Sequence, residues 1–548
     1  MGKAAKIKGY LKDYGFTYTI KKVYNRYIIK YHKGRKYCPI DISSEERKLE
    51  EQYITHDDIK ISIVVPVYNT PVSYLVPMIE SVKKQTYKNW ELCLADASDE
   101  NGAAVEGVVK KLAQKDDRIK YKKLETNAGI GENTNRAAEM ATGNYIGLLD
   151  HDDLLHPSAL YNVAMAIEEH DSEFIYTDEL SFDGDTRKVQ SINFKPDFSW
   201  ETFRYNNFIC HFTVFKKELF EKAGGYRKEY DGGQDYDLFL RILEQTKKVY
   251  HIQKVLYYWR IHSASSAAGV AAKPYIVEAG RKAVEEHLRR IGQPGKVEAS
   301  KEHGPFYRVT YENKIEKDRV KAYRQGDITS EEIIADLGKN SGKYDIIILS
   351  RKGYEAFMPD IVSADKTEIN KGIDELVNCL IPKENMAASN TVLDNRQKYI
   401  NAGWCYNKKW KEKCRPLYKG VPVKEPGYMN RLHFRQSVSL LDGSVFAIKT
   451  EIVKKWLEKK TRGIKKQDKE RKDIDFFCRS SWFEMCMEIN KTECACVVTT
   501  YCPAVISKEK VAEFKAVDSE MDDIFEKAGN DRFYNKGMEN FGKEYFMW

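Results

Sequence analysis

The stretch Tyr145-Ile146-Gly147-Leu148-Leu149-Asp150-His151-Asp152-Asp153 passes from a mostly apolar run into three carboxylates within four residues. The run predicts a buried strand, and open α/β sheets bind their ligands at the carboxyl ends of such strands. Because neighbouring carboxylates repel one another, the cluster favours a bound cation. Carboxylates two positions apart can hold Mg²⁺ or Mn²⁺ and leave positions open for substrate phosphates. The alternative interpretation is a solvated acidic turn that caps the next helix.

Strands alternate with helices in the sequence that leads to this stretch. The strands are predicted at 61–69, 90–96, 119–124 and 145–150, and the helices at 75–85, 105–114 and 133–141. This alternation predicts an α/β fold with a doubly wound parallel sheet and a ligand across the strand ends. Pro66, Asn69, Asp96 and Asp150 all fall at that edge of the sheet.

Short motifs follow one another from the first strand to residue 262. They are Val65-Pro66-Val67-Tyr68-Asn69, Ala95-Asp96-Ala97-Ser98, Asn127-x-Gly129 with Asn135, Asp150-His151-Asp152-Asp153, Tyr176-Thr177-Asp178-Glu179, Phe194-Lys195-Pro196-Asp197, Gly224-Gly225-Tyr226, Gly233-Gln234-Asp235-Tyr236-Asp237-Leu238 and Trp259-Arg260-Ile261-His262. In this order they resemble the motifs of family 2 glycosyltransferases, which have the GT-A fold with a mixed sheet. The resemblance covers residues 60–290 and points to bacterial polysaccharide-assembly enzymes, including rhamnosyltransferase-like ones.

The resemblance implies a nucleotide-sugar site with a metal. It gives Asp96 to the uracil or thymine edge, Asp150 to the ribose and Asp152 to the cation. The other implied nucleotide-sugar contacts are Pro66, Tyr68, Asn69, Gly129, Asn135, His151 and Arg260. His262 is a candidate second metal ligand, on the same face as Arg260 if the strand continues. Binding of phosphate and a purely structural role are the alternatives for this histidine. The cofactor expected is Mg²⁺ or Mn²⁺, because a metal neutralises the charge that develops on the leaving diphosphate.

Asp235 is the candidate catalytic base. An acceptor hydroxyl is a poor nucleophile and needs a carboxylate to take its proton. The glycines before Asp235 and the helical pattern after it place the carboxylate at a helix amino terminus, where the macrodipole helps to keep it ionised. Gln234 stands where the family usually has a glutamate, as it often does in relatives of the polysaccharide type. The alternative role for Asp235 is a helix N-cap.

Candidate acceptor contacts lie between the nucleotide half and Asp235. Trp200, Asn207 and His211 combine an aromatic face with amide and imidazole groups, which suits a sugar. A packed core is the alternative explanation for the aromatic residue.

The second half of the chain repeats the motif order in outline but lacks the nucleotide-binding front half. Arg351 and Lys352 follow a buried strand at 344–349, where the first half has its acidic cluster. This reversal of charge excludes a divalent cation there. Asp473 occupies the place in this order that Asp235 has in the first half. It is either a leftover base or a helix N-cap. The predicted divisions are a basic aromatic-rich segment 1–58, a GT-A catalytic domain 59–295, a linker 296–340, a truncated GT-A-like domain 341–510 and a helical tail 511–548.

Composition places the chain among globular proteins, with 42% apolar and 31% charged residues. It has no apolar run of the ~18 residues that span a bilayer, and no signal-peptide pattern, so a cytoplasmic location is expected. Residues 3–36 carry eleven basic residues, interleaved aromatics and a single acid, Asp13. This pattern favours peripheral contact with anionic lipid on the inner face of the plasma membrane over nucleic acid. A helix that packs its aromatic residues on the main domain is the alternative.

The leading hypothesis is an inverting, metal-dependent glycosyltransferase. It moves a sugar from a UDP- or dTDP-linked donor to a glycan or lipid-linked glycan acceptor in cell-surface polysaccharide synthesis. A nucleotidyltransferase would use the same fold and paired aspartates, but the expected glycine-rich, lysine-bearing loop is replaced by Pro66-Val67-Tyr68-Asn69. The third hypothesis is a catalytically inert glycan-binding scaffold, against which the intact aspartates argue.

Overall fold

The computed structural model describes residues 11–12, 16–28, 41–55, 58–262, 274–300, 305–352, 369–394, 396–407, 409–410, 413–425, 427–461, 474–506, 531–535 and 538. Its helices are α1 (Phe16–Ile28), α2 (Ser44–Glu51), α3 (Val72–Lys83), α4 (Ala103–Ala113), α5 (Ile130–Ala138), α6 (Ala159–His170), α7 (Trp200–Tyr205), α8 (Lys217–Ala223), α9 (Gln234–Leu243), α10 (Pro274–Arg290), α11 (Ser330–Lys339), α12 (Ile369–Cys379), α13 (Thr450–Thr461) and α14 (Arg479–Asn490). Its strands are β1 (Ile61–Val67), β2 (Trp90–Asp96), β3 (Ile119–Lys123), β4 (Tyr145–Leu148), β5 (Leu154–Leu155), β6 (Phe174–Asp183), β7 (Asp185–Asn193), β8 (Thr213–Lys216), β9 (Val249–Arg260), β10 (Gly295–Ala299), β11 (Tyr307–Tyr311), β12 (Val320–Arg324), β13 (Ile346–Ser350), β14 (Asn385–Asp394), β15 (Tyr399–Asn401), β16 (Trp404–Tyr406), β17 (Cys414–Pro416), β18 (Gln436–Val438), β19 (Val445–Lys449) and β20 (Ala495–Ile506).

The first sheet has nine strands in the order β3-β2-β1-β4-β8-β6-β9-β5, with β7 beside β6. β3, β2, β1 and β4 run parallel, whereas β8 is antiparallel to both β4 and β6. The apolar, β-branched side chains of β1 are buried, as expected of a central parallel strand covered on both faces. The mixed α/β sheet predicted from the sequence is confirmed.

Helix α5 begins earlier than the sequence predicts, at Ile130 instead of residue 133. The residue before it, Gly129, has a φ of 104°, which a side chain rarely tolerates. A Cβ atom at Gly129 would lie 2.3 Å from a carboxylate oxygen of Asp231. A glycine at this position therefore lets the Asp231 loop approach the start of α5.

The second sheet has seven strands in the order β12-β13-β19-β14-β20-β18, with β15 beside β14. Its pairings repeat those of the first sheet. β12 is parallel to β13 as β1 is to β4, β19 is antiparallel to β13 and β14 as β8 is to β4 and β6, and β20 is parallel to β14 as β9 is to β6. Within the described ranges no strand extends the sheet beyond β12, where the first sheet has β2 and β3.

The two sheets pack against each other through apolar and ionic contacts. Leu180 and Tyr258 of the first sheet share a buried cluster with Leu393 of the second. We call the parts of the chain built on the first and second sheets the first and second units. Buried Arg204 of the first unit forms an ion pair with Glu384 of the second unit at 2.6 Å. A pocket of about 1090 Å³ lies between the two units. Apolar and ionic contacts therefore hold the two halves of the chain together.

The predicted linker 296–340 is wrong for much of its length. β10 and β11 form a hairpin, β12 is a strand of the second sheet, and α11 packs on the same unit. In β11 buried and exposed residues alternate, so the polar side chains that made the segment look like a linker lie on the outer face of a strand. α11 likewise buries only Ile333 and Leu337.

Two other predictions fall largely or wholly outside the described residues. Of the tail predicted as helical, residues 531–535 and 538 are described, and 531–535 form an irregular segment. The side-chain amide of Asn535 donates to the buried carboxylate of Asp178 at 2.7 and 2.9 Å, so this segment reaches the first sheet. Asp473 lies outside the described residues.

Candidate active site

The carboxyl ends of β1, β2 and β4 meet at one edge of the first sheet. Val67, the last residue of β1, pairs with Asp96 at the end of β2, and β4 is the other neighbour of β1. Tyr68 follows β1, is 43% exposed, and donates from its hydroxyl to Asp99 at 3.0 Å. The backbone amide of Asn69 donates to the Ser98 hydroxyl at 2.9 Å. The residues predicted to contact the nucleotide therefore border one open edge.

Asp96 is fully buried at this edge. Its carboxylate accepts hydrogen bonds from the Ser98 backbone at 2.8 Å, the Tyr121 hydroxyl at 2.7 Å and the Lys123 ammonium at 3.2 Å. Burial raises the pKa of Asp96, but these donors outweigh it and hold the pKa below its usual range. Asp96 fixes the turn after β2, and a nucleobase would have to share oxygens that already have partners. Its contact with the base stays a prediction.

Asp150 has a side chain that is 46% exposed and faces His211, whose Nε2 lies 3.5 Å from the carboxylate. The Nδ1 atom of the same ring lies 3.4 Å from Glu179. Burial lowers the pKa of His211, but the two carboxylates outweigh it and raise the pKa well above its usual value. Asp150 and Glu179 on either side of the ring thus favour the protonated form of His211.

Lys195 adds a buried positive charge next to Glu179. Its ammonium lies 3.1 Å from Glu179 and donates to the backbone carbonyls of Ile209 and His211. Burial raises the pKa of Glu179, but Lys195 and His211 reverse that effect and lower the pKa to about 2. Lys195 therefore ties the loop that carries His211 to strand β6.

Asp152 and His262 also come together, with 2.7 Å between the carboxylate and Nε2. Arg260 donates from Nε to the backbone carbonyl of Asp152 at 2.7 Å. The neighbouring Asp153 is buried and accepts from the Tyr257 hydroxyl and the Arg260 backbone, each at 2.6 Å. Asp153 therefore anchors the acidic turn to β9, which leaves Asp152 as the carboxylate that pairs with His262.

The fit of this pair to a divalent metal can be judged from its donor atoms. No group of three or more His, Cys, Asp or Glu side chains that could hold a metal occurs in the described part of the chain. Asp152 and His262 offer one carboxylate and one imidazole, each about one-fifth exposed. Mg²⁺ and Mn²⁺ sites commonly use one or two protein ligands and complete their coordination with water and substrate phosphates. The pair fits a metal that binds together with a diphosphate.

Asp235 lies in the first turn of α9, after the N-cap residue Gly233. Its carboxylate accepts a hydrogen bond from the Tyr226 hydroxyl at 2.8 Å. Burial and the charge of Asp150 raise its pKa to about 6. Asp235 is therefore not the N-cap of this helix, and its carboxylate lies close enough to Asp150 to respond to its charge.

Asn135, whose contact with the nucleotide-sugar stays a prediction, uses its side chain to hold Tyr226. Its amide oxygen accepts from the Tyr226 backbone amide at 2.8 Å, and its Nδ2 donates to the Tyr226 carbonyl at 3.0 Å. Both ends of the amide are engaged, so Asn135 positions the tyrosine that contacts Asp235.

Three further predicted residues line the same edge. Pro66 lies in β1 and pairs with Ala95 of β2. Gly129 precedes α5, as described above. His151 is half-buried, with its Nδ1 3.9 Å from Asp152. Their contacts with a nucleotide-sugar stay predictions.

The three candidate acceptor residues do not share one environment. His211 lies beside Asp150, and the backbone carbonyl of Asn207 accepts from the thiol of Cys210 on the same loop at 3.0 Å. Trp200 stacks on His287 with 4.7 Å between ring centroids and also packs against Phe198. For Trp200, the packed-core explanation accounts for the position of the side chain.

Four residues near the site were not assigned a role from the sequence: Glu179, Lys195, Tyr226 and Trp259. All four occur in the quoted motifs, which was the available signal. Their roles depend on contacts with residues far away in the sequence, such as that of Tyr226 with Asn135. Trp259 lies beside His211, with 5.6 Å between ring centroids.

Comparison with known proteins adds the family. The profile of Glycosyl transferase family 2 matches residues 62–224. The uncharacterized glycosyltransferase MJ1057 of Methanocaldococcus jannaschii is 30% identical over 207 residues, which is 37% of this chain and 70% of that protein. This chain belongs to glycosyltransferase family 2.

Two other similar proteins are much longer than the region they share with this family 2 chain. The uncharacterized protein y4gI of Sinorhizobium fredii is 46% identical over 234 residues, covering 42% of this chain and 25% of y4gI. The O-antigen biosynthesis protein RfbC of Myxococcus xanthus is 32% identical over 253 residues, covering 46% of this chain and 20% of RfbC. The family 2 chain thus matches a quarter or less of either protein.

Proposed function

We propose that this family 2 glycosyltransferase moves a sugar from a UDP- or dTDP-linked donor to a glycan or lipid-linked glycan acceptor, with inversion, in the assembly of cell-surface polysaccharide. The observation that carries the proposal is the pairing of Asp150 with His211, and of Asp152 with His262, after the end of β4. The Asp235 carboxylate lies close enough to Asp150 to respond to its charge. The name of RfbC supports a polysaccharide product.

Asp235 is the proposed base. With a pKa of about 6 it is mostly ionised at neutral pH, yet basic enough to accept a proton from an acceptor hydroxyl. Tyr226 holds the carboxylate in place through the hydrogen bond to Oδ1. A single carboxylate that activates the acceptor leads to one displacement at the anomeric carbon, and hence to inversion.

The donor would lie across the carboxyl ends of the strands. Asp150 is proposed to contact the ribose, while His211 orients the Asp150 carboxylate. Asp152 and His262 would hold Mg²⁺ or Mn²⁺, and the metal when bound supplies positive charge to the leaving diphosphate. Arg260 fixes the acidic turn through the Asp152 carbonyl.

A nucleotide-release assay over UDP-, dTDP- and GDP-sugars, with Mn²⁺ or Mg²⁺, tests this function. We expect one donor to be turned over, and Asp235→Asn to lower kcat by about 10²–10⁴-fold. The matched control is Asp185→Asn, an aspartate at the start of β7 that pairs with Arg187. Absence of turnover with every donor, together with absence of nucleotide binding by calorimetry, would refute the proposal.

We also propose that the second unit is catalytically inert. Arg351 follows β13 as Asp150 follows β4, and its guanidinium lies 2.5 Å from the buried carboxylate of Asp442. Arg479 pairs with the other oxygen of Asp442. The position that carries the acidic cluster in the first sheet is therefore filled by an ion pair. Calorimetric titration of the protein with UDP and Mn²⁺ tests this, and we expect one nucleotide site per chain; two sites would contradict it.

We further propose that α1 contacts an anionic membrane surface. Phe16, Ile20, Val23 and Tyr24 lie on one side of this helix and are 69%, 51%, 49% and 61% exposed. Lys22 attaches the helix to the second unit through buried Glu425 at 2.7 Å. The surrounding sequence is strongly basic, which complements anionic lipid. In the described part of the chain, no helix is long and apolar enough to cross a bilayer.

Co-sedimentation with phosphatidylcholine vesicles, with and without phosphatidylserine, tests the membrane contact. We expect binding that depends on phosphatidylserine and is lost in Phe16→Ser/Tyr24→Ser. The control is Leu49→Ser, which removes an equally exposed apolar side chain from α2. Equal binding by the double variant and the control would contradict the role of α1.

A further inference from the structure

One face of strands β6, β7 and β9 carries polar side chains and the indole of Trp259, which lies beside His211. Across β6 and β9, Glu179 pairs with Tyr257 and Ser181 pairs with Trp259. Side chains at paired positions point to the same face of a sheet. His211 stacks on Tyr257 at 4.9 Å and lies 5.6 Å from the Trp259 ring, so it contacts this face too.

Strand β7 extends the same face outward. It pairs Asn193 with Glu179 and Ser191 with Ser181. The Asn193 amide donates to Glu179 at 2.6 Å, and the Ser181 and Ser191 hydroxyls are 2.6 Å apart. We define the indole strip as Glu179, Ser181, Ser191, Asn193 and Trp259. Glu179 and Ser181 are buried, whereas Ser191 is exposed and Asn193 and Trp259 are half-buried. The last three side chains are therefore open to a ligand.

Trp259 is the one large apolar group of the strip. Its side chain is half-buried, so part of the indole is open to solvent. His211, beside it, lies 3.5 Å from Asp150. The strip therefore begins at the proposed donor site and leads away from it along the sheet.

The opposite face of these strands is rigidly supported. Leu180, Ile192 and Tyr258 point away from the strip and are buried against the second unit, where they meet residues such as Leu393 and Ala402. The second unit thus holds the strands that carry the strip and gives it a fixed shape.

We propose that the indole strip binds the saccharide portion of the acceptor, with one sugar ring stacked on Trp259. Sugar rings present C–H groups on one face and hydroxyls at the edge, which match an indole flanked by hydroxyl, amide and carboxylate groups. A lipid or an apolar peptide would cover the Ser191 hydroxyl and the Asn193 amide without replacing the hydrogen bonds that these two groups can make to water. The inference rests on the proposed transfer to a glycan and names the surface that holds that acceptor.

Saturation-transfer NMR with maltotriose, triacetylchitotriose and a rhamnose disaccharide tests the strip. We expect at least one saccharide to bind wild type, and Trp259→Ala to weaken that binding about fivefold or more, the size of an aromatic stacking contribution. Trp259→Phe should retain most of it. The control is Trp410→Ala, which removes a half-buried tryptophan of the second unit that packs on Tyr534.

Calorimetry with UDP and Mn²⁺ on the same samples separates this inference from the proposed function. The protein could bind saccharide in a way that depends on Trp259 and yet bind no nucleotide. That result would support saccharide binding by the indole strip and refute the proposed glycosyl transfer. Unchanged saccharide binding in Trp259→Ala, or no binding of any of the three saccharides to wild type, would refute the proposal that the indole strip binds the acceptor.

Discussion

The hydroxyl of Tyr226 donates a 2.8 Å hydrogen bond to the carboxylate of Asp235. Asn135 in turn clamps the Tyr226 backbone from α5, with its side-chain amide bonded to both the N–H and the carbonyl. The proposed base is therefore positioned by a chain of two contacts that begins on helix α5. Because a hydrogen bond to an ionised carboxylate favours that form, Tyr226 lowers the pKa of Asp235 against burial and the charge of Asp150.

Tyr226→Phe should move the acidic limb of the pH profile to higher pH. Asp235 acts as a base only when it is ionised, so kcat/KM in wild type should fall tenfold per unit as the pH drops below about 6. Loss of a hydrogen bond to a charged group, worth about 1.5–3 kcal/mol, corresponds to a rise of about 1–2 units in that pKa. The measurement is kcat/KM from pH 4.5 to 9, with Tyr68→Phe, whose hydroxyl contacts Asp99 instead, as the control. An acidic limb at the same pH in wild type and Tyr226→Phe would contradict this role.

Asp152→Asn should weaken metal binding in the presence of nucleotide. The carboxylate supplies the charged protein ligand, and an amide oxygen is a weaker ligand for Mn²⁺. We expect the Mn²⁺ affinity, measured by electron paramagnetic resonance with UDP present, to fall about tenfold or more, and chelation of the metal to abolish turnover in wild type. Asp99→Asn is the control, since Asp99 binds Tyr68 and lies after β2. Equal Mn²⁺ affinity in wild type and Asp152→Asn would exclude Asp152 as a ligand.

Lys195→Met should destabilise the fold. The ammonium is fully buried. Its removal takes a positive charge away from the buried Glu179 carboxylate and removes the hydrogen bonds to the backbone carbonyls of Ile209 and His211. Breaking a buried ion pair from one side costs about 3–5 kcal/mol. Denaturant unfolding should show this loss, whereas exposed Lys188→Met on β7 should change stability by less than about 0.5 kcal/mol. A loss as small as that of the control would mean that Lys195 is dispensable for folding.

Arg351→Met should destabilise the second unit. It removes one of the two guanidinium groups that pair with buried Asp442, and also the contact of 3.9 Å with the Trp482 ring. We expect a loss of about 3 kcal/mol in the free energy of unfolding. Lys352→Met, which changes the exposed neighbour, is the control. Retention of nucleotide binding by Arg351→Met would agree with a structural role for this arginine, and loss of that binding in a folded variant would contradict it.

The sequence alone was enough to locate the first four strands of the first sheet. The alternation of apolar strands and amphipathic helices predicted the first four strands of the sheet, and the acidic run predicted which strand end carries Asp150 and Asp152. It also placed Asp235 in the first turn of a helix, because the glycine pair and the helical spacing are local signals. Such features depend on neighbours a few residues apart, which is the range over which sequence patterns carry information.

Only the tertiary structure decided which side chains work together. The pairing of Asp150 with His211, the clamp of Asn135 on Tyr226 and the position of Trp259 beside His211 join elements that are far apart in the chain. The predicted linker was wrong for the same reason, since β12 becomes a strand only by pairing with β13. The sequence does not distinguish the environments of Trp200 and Trp259. In the structure Trp200 packs against His287, whereas Trp259 borders the proposed donor site. Burial and partner choice are set by the packing of whole elements, and a linear pattern of residue types does not contain that information.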